Sequence, residues 1–159
     1  MSRRMFVVAV VFVAACESPA APSPFTMSKR IQTAHFTFQM SANDAVDTEW
    51  QEAYHEWAVA ALQVTITRPI TYNKYLSRVH MGDVTGTYNT NGYARADESA
   101  FEIHTLWSRD NHEVVHLYSS AFGRTVALFS EGLAVAFQIN APAGETVPKW
   151  SGTPVAAKQ

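Results

Sequence analysis

Hydrophobic positions alternate over residues 32–40, with Phe36 and Phe38 on one side, which predicts a strand. Ser41, Asn43 and Asp44 then offer a helix N-cap. From Asp44 to about Leu62, Val46, Trp50, Tyr54, Trp57 and Ala61 recur at spacings of four, four, three and four. That spacing makes one apolar stripe of an amphipathic helix, its aromatics destined for a core. Thr65 to Tyr72 is rich in β-branched residues and reads as a strand, which Pro69 places at an edge or a bulge. Residues 81–92 hold Gly82, Gly86 and Gly92 and read as a glycine-containing loop, with Asn91-Gly92 as a hairpin turn. Ala100 to Leu106 predicts a short strand with Phe101, Ile103 and Thr105 on one face. A helix starts near Ser108 or Asp110 and stops at Gly123. Thr125 caps a second helix that runs to about Asn140 and ends before Pro142. Strands and helices in this order predict an α+β domain.

The N-terminus has a different pattern. Arg3 and Arg4 precede an unbroken apolar run of eleven residues, Met5 to Ala15. A bilayer span needs about 20 residues, so this run fits the core of a signal peptide instead. It closes on Val13-Ala14-Ala15-Cys16, which resembles a bacterial lipobox, with Cys16 as the lipidated residue. Ser2-Arg3-Arg4-Met5-Phe6 resembles a twin-arginine export signal, the alternative to the general route. The expected organisation is a lipoprotein signal peptide over 1–15, a Pro/Ala/Ser-rich tether over 16–30, a domain over 31–140 and a weakly structured tail over 141–159. Such a protein belongs to the bacterial cell envelope, held to a membrane through its N-terminal lipid. Glu17 after the cysteine is not an inner-membrane retention signal of the Asp type, so the outer membrane, with the domain facing the periplasm or outside, is expected in a two-membrane cell and the cell surface otherwise.

Composition narrows the function. Charged residues make up 16% and hydrophobic ones 47%, as in a globular protein rather than a disordered tail. A formal charge of −2 offers no basic field for a phosphate backbone, so nucleic acid is not an expected partner. A single cysteine excludes a disulfide framework and a Cys-rich zinc site.

The chemistry concentrates in His112-Glu113-Val114-Val115-His116. On a helix, positions i and i+4 share a face, so two imidazoles can hold one zinc. Glu113 projects beside such a metal and can act as a base toward water. Metzincins place a glycine and a third histidine at offsets occupied here by Ser119 and Phe122, which excludes that class. The candidate third ligand is Glu131, the only charge between Val126 and Ile139. A lone charge among Val, Leu and Phe needs a partner, and a metal ion is one. His116 and Glu131 stand seven residues before and eight after Gly123. In an antiparallel helical hairpin those depths are about 10 and 12 Å, nearly the same level.

His-Glu-x-x-His followed by Ser130-Glu131-Gly132-Leu133-Ala134 resembles the gluzincin metallopeptidases, in particular the peptidase MA-like group. His35-Phe36-Thr37-Phe38, Gly92-Tyr93-Ala94 and Ile103-His104-Thr105 extend the likeness over roughly residues 32–140. The resemblance implies a thermolysin-like (zincin) N-terminal subdomain, a small twisted sheet backing the two site helices. It implies one Zn2+ per chain, held by His112, His116 and Glu131, with Glu113 as general base in peptide-bond hydrolysis. It also implies an extended peptide substrate added to the sheet's edge strand, expected at about 100–106 with Ile103 and His104. The family's helical second subdomain supplies an oxyanion donor. Here 28 residues (132–159) follow Glu131, and none is Tyr or His. The chain thus resembles a C-terminally truncated member, with Tyr93, Arg95 or His104 left as donors. The alternatives are a zinc-binding module without activity and a structural envelope protein with an incidental motif.

Overall fold

The computed structural model describes residues 26–123 and 126–138. The signal peptide, Cys16 and the 141–159 tail lie outside the described residues. Ten elements run β1 (Lys29–Gln32), β2 (Phe36–Met40), α1 (Thr48–Leu62), β3 (Ile70–Lys74), α2 (Arg78–Thr85), β4 (Gly92–Ala96), β5 (Phe101–Thr105), α3 (Asn111–Ser119), a 3-10 turn (Ser120–Phe122) and α4 (Ala127–Phe137). This is a mixed α+β fold. Its five strands form one sheet in the order β1-β2-β3-β5-β4. The outer pairs are antiparallel, and β2-β3 and β3-β5 are parallel.

One row of residues crosses the sheet in register: Ile31, Phe38, Tyr72, Ile103 and Ala94. All five belong to or pack against the core, with Tyr54 and Ala58 of α1 and Val114, Val115, Leu117 and Tyr118 of α3. The helices therefore cover this face. The adjacent row, Arg30, Gln39, Asn73, His104 and Tyr93, is mostly polar and faces the other side. Asn73, buried in that row, donates its side-chain N–H to the Ile103 carbonyl at 3.2 Å. Between α1 and α3, the Trp50 indole donates to Asn111 Oδ1 at 3.1 Å, and His55 Nδ1 lies 2.8 Å from the Tyr118 hydroxyl. Those buried polar contacts fix α3 against the scaffold.

Several expected boundaries move. Asp47, not Ser41, Asn43 or Asp44, caps α1, accepting from the Trp50 N–H. The strand after α1 starts at Ile70, just past Pro69, and lies inside the sheet rather than at an edge or bulge. Proline stands outside the ladder, so no sheet hydrogen bond is lost. Helix α2 replaces the first part of the expected 81–92 loop. Ser77 caps it, and Gly86 ends it with φ +79°. Asn91-Gly92 is not the hairpin turn, because Gly92 opens β4. The turn sits at 97–100, where Asp97 accepts from the N–H groups of Ser99 and Ala100. β1 begins at Lys29, within the span expected to be tether. Thr125 lies outside the described residues. Val126 occupies the N-cap of α4 without a side-chain cap.

Candidate metal centre

Asp110 starts the site. It is buried at the N-cap of α3, where one carboxylate oxygen accepts from the Glu113 N–H at 3.0 Å and the other from the Thr105 hydroxyl. This cap ties the helix to β5 and sets the phase of the next turn. His112 and His116 then project from the same face of α3 toward α4.

Helix α4 returns alongside α3 with antiparallel pairing. His116 meets Ser130, and His112 meets Gln138. Gln138 Oε1 lies 3.1 Å from Nδ1 of His112, and Ser130 Oγ lies 3.0 Å from Nδ1 of His116. When Nδ1 of His112 donates to that amide oxygen, its Nε2 carries the lone pair. The Ser130 hydroxyl can accept the Nδ1 proton of His116 in the same way. Both Nε2 atoms then face each other at 3.2 Å and face the Glu131 carboxylate at 3.4 and 3.3 Å. Two lone pairs and a carboxylate directed at one point form a cation site. His112, His116 and Glu131 are together the one three-residue group among the described residues able to hold a metal ion.

Glu131 joins this group, but not for the reason its sequence context supplies. It is not a buried charge: its side chain is 61% exposed. The apolar residues of α4 lie all around the helix, and among them only Ala134 is fully buried. Val126, Leu128, Phe129 and Val135 stand out to solvent. Convergence with the two histidines, rather than burial, gives Glu131 its partner.

Glu113 sits at the floor of the same cleft, against β4. A Cβ at Gly92 would come within 3.0 Å of Glu113 Cγ, 3.1 Å of its Oε1 and 3.2 Å of Asp110 Oδ2, so a side chain there would press the Glu113 carboxylate to shift by a few tenths of an ångström. Burial, reinforced by the charges of Asp110 and Glu131, pushes the Glu113 carboxyl up to about 8. Burial also lowers the His116 pKa, keeping that ring neutral and able to coordinate. A cleft of about 670 Å3 joins these groups, bounded by Gly92, Tyr93 and Ala94 on one side and Ala127, Ser130 and Glu131 on the other.

The expected edge strand and oxyanion donors are displaced. β5 lies between β3 and β4, so residues 100–106 are not an edge, and Ile103 is fully buried in the core. The edge is β4. His104 and Tyr93 belong to the polar row on the face away from α3. Their rings stack on each other at 4.5 Å, and Tyr75 OH bonds His104 Nδ1 at 2.8 Å. Arg95 is held by Glu102 and Asp97. Tyr93 still lines the metal cleft, and no hydrogen bond or ring contact among the described residues joins these three side chains to His112 or His116. Gly92, Ala94, Ser130 and Gln138 escape sequence reasoning because small or neutral residues carry no chemical signature. Gly92 and Ala94 belong to the Gly92-Tyr93-Ala94 likeness and Ser130 adjoins Glu131, but neither pattern marks what these residues do in the site.

No protein-family model, no curated protein and no solved structure matches this chain.

Proposed function

We propose that this protein is a zinc-dependent peptidase of thermolysin-like build, anchored in a bacterial envelope through Cys16. The observation that carries the reading is the convergence of two imidazole nitrogens and a carboxylate beside a fourth, proton-accepting residue, Glu113, on an open strand edge. Zinc suits the spacing. Tetrahedral donors at about 2.0–2.1 Å from zinc stand about 3.3–3.4 Å apart, and the donor atoms here are 3.2, 3.3 and 3.4 Å apart. His112, His116 and Glu131 would hold the ion, which would acidify a water and polarise the scissile carbonyl.

The protein supplies the rest. Glu113 takes a proton from the attacking water on its carboxylate and passes it to the leaving amine nitrogen. Burial and the charges of Asp110 and Glu131 raise its pKa, and a cation held at the histidines would lower it again toward the carboxylate form that accepts the proton. β4 orients the peptide. Leu106 donates to the Asn91 carbonyl, and Asp97 donates to the Ala100 carbonyl. In the antiparallel register of β4 and β5, this alternation turns the N–H and C=O of Ala94 away from β5 and toward the open edge. An extended peptide can add there as a sixth strand, beside the metal ligands.

A second reading is a zinc-binding module without catalysis. It is favoured by the stacking of His104 between Tyr93 and Tyr75, which commits those rings to one another rather than to an oxyanion. Loss of such a donor costs about 10²–10³ in rate. One experiment separates the two. Zinc-loaded wild type and Glu113→Gln are assayed on a quenched-fluorescent peptide library, with zinc content measured on the same samples. The peptidase reading expects hydrolysis that falls by about 10²–10⁴ in the variant while zinc is retained. An inactive, zinc-loaded wild type supports the binding module, and a wild type without zinc overturns both.

A further inference from the structure

A second hollow lies further along the same two elements that carry the metal cleft. His112, His116 and Ser120 are spaced by four along one face of α3 and the turn that follows it. Gly92, Ala94 and Ala96 are spaced by two along one face of β4. The metal cleft takes the first two members of each row. A second hollow of about 380 Å3 takes the next, Ala96 and Ser120, and is walled by Phe101, Ile66 and Arg68. One helical turn is about 5.4 Å, and two strand residues are about 6.8 Å. Two residues of an extended peptide advance by that same distance. A peptide paired with β4, with one bond at the histidines, therefore presents a side chain two residues away at Ala96, the near wall of this hollow, with Phe101 and Arg68 facing it from across β4.

Arg68 gives the hollow its chemistry. Its guanidinium lies 5.1 Å over the Phe101 ring and donates through Nη1 to the Asp97 carbonyl at 2.7 Å. Those contacts fix its plane and leave further N–H donors of the fork unspent. No carboxylate among the described residues pairs with it. The nearby Asp97 carboxylate is taken by Ser99, Ala100 and Arg95. Glu98, the other acid at the rim, is exposed on the turn.

We infer that this hollow is a side-chain subsite of the peptide cleft and that Arg68 makes it select a carboxylate side chain, Glu or Asp, two residues from the bond held at the metal. The inference rests on the peptide-cleft reading above and adds its substrate preference. The test measures binding, not turnover. Zinc-loaded full-length protein carrying Glu113→Gln is titrated into two fluorescein-labelled octapeptides of Ala and Ser. One peptide carries a single Glu and the other a Gln at the same place, and anisotropy reads the affinity. The Glu peptide is expected to bind about 5-fold tighter, the scale of a partly exposed ion pair. The preference should shrink as salt is raised. Adding Arg68→Gln should abolish the preference without changing the affinity for the Gln peptide, and Arg68→Glu should turn it against the Glu peptide. Equal binding of the two peptides, or a preference that survives Arg68→Gln, overturns the subsite. Binding of neither peptide overturns the peptide cleft itself, and the subsite with it.

Discussion

Glu131→Gln isolates the metal contribution from the fold. Glu131 is 61% exposed, and its only ion-pair contacts among the described residues are with His112 and His116. An exposed substitution of equal shape typically changes stability by no more than about 0.5 kcal/mol, so the metal-free variant should melt within about 2–4 °C of the metal-free wild type. With metal the two should part. An ion bound to His112, His116 and Glu131 would bridge α3 and α4, adding to the hold of buried Ala134, half-buried Leu133 and Phe137, and the Tyr54 hydroxyl on the Phe137 carbonyl. At free zinc about 100 times the dissociation constant, linkage adds about 2.7 kcal/mol. At about 4 °C per kcal/mol for a domain this size, the wild type should gain about 10 °C. Glu131→Gln replaces a charged ligand by a weak neutral one and should gain little at the same zinc. Differential scanning fluorimetry across a zinc series, with chelator as baseline, reads both numbers. Equal shifts in the two proteins would remove Glu131 from the metal, and no shift in the wild type would remove the metal from the protein.

The other predictions are more local. His112→Ala and His116→Ala should each abolish zinc uptake by elemental analysis, while circular dichroism keeps the wild-type spectrum. Gly92→Ala should push its new methyl against Glu113, lowering any hydrolysis by at least about tenfold at unchanged zinc content; an unaltered rate would show that the carboxylate has more room than Gly92 provides. His55 is buried, and desolvation with the charge of His35 lowers its pKa to about 4. The folded state therefore binds fewer protons than the unfolded state between about pH 6.5 and 4, and stability falls as pH falls through that window, by about 3 kcal/mol when complete. Urea melts should show this slope, and His55→Gln should flatten it. If Cys16 is the lipidated N-terminus, mass spectrometry of protein from a bacterial membrane fraction should find a diacyl- or triacyl-cysteine there, and Cys16→Ser should leave the membrane fraction.

The sequence makes elements with a single periodic signal readable. β2, α1, β5 and α3 follow from Phe36/Phe38, the Trp50–Tyr54–Trp57 stripe, Phe101/Ile103 and the His112–His116 turn. The position of β5 within the sheet does not follow. Alternation shows that one face of Phe101–Thr105 is buried, but His104 on the other face is buried too, by Tyr93 and Tyr75 stacked against it. Polar residues can line a covered second face when they stack and hydrogen-bond, and that makes an interior strand look like an edge. Helix α2 is hidden for another reason. Its glycines, Gly82 within and Gly86 at the end, read as loop punctuation, whereas Ser77 supplies the cap that decides it. β1 is polar at Lys29, Arg30 and Gln32, as an outer strand can be, and so leaves no hydrophobic pattern.

The residues that could hold a metal are legible because a metal demands particular atoms at particular spacings, and those demands survive in one dimension. What places those atoms is less visible. Gln138 and Ser130 meet the rings through single hydrogen bonds, a role open to many residue types, so the sequence marks neither for that role, although Ser130 stands beside Glu131 in its motif. Ala94 contributes backbone alone, which every residue has, and Gly92 contributes the absence of a side chain. The error about Glu131 is instructive in the same terms. Its apolar neighbours imply a buried charge only if the whole helix is enclosed. The described residues of α4 instead turn Leu128 and Phe129 outward, 85% and 64% exposed. The carboxylate reaches the histidines from the rim of the cleft, not from its interior. A rim ligand keeps access to water and can release or recapture the ion with little rearrangement of the core. That predicts zinc exchange faster than global unfolding: chelator should strip the metal at a rate independent of urea below the unfolding transition. A rate that climbs with urea in step with unfolding would place the carboxylate deeper than its exposure indicates.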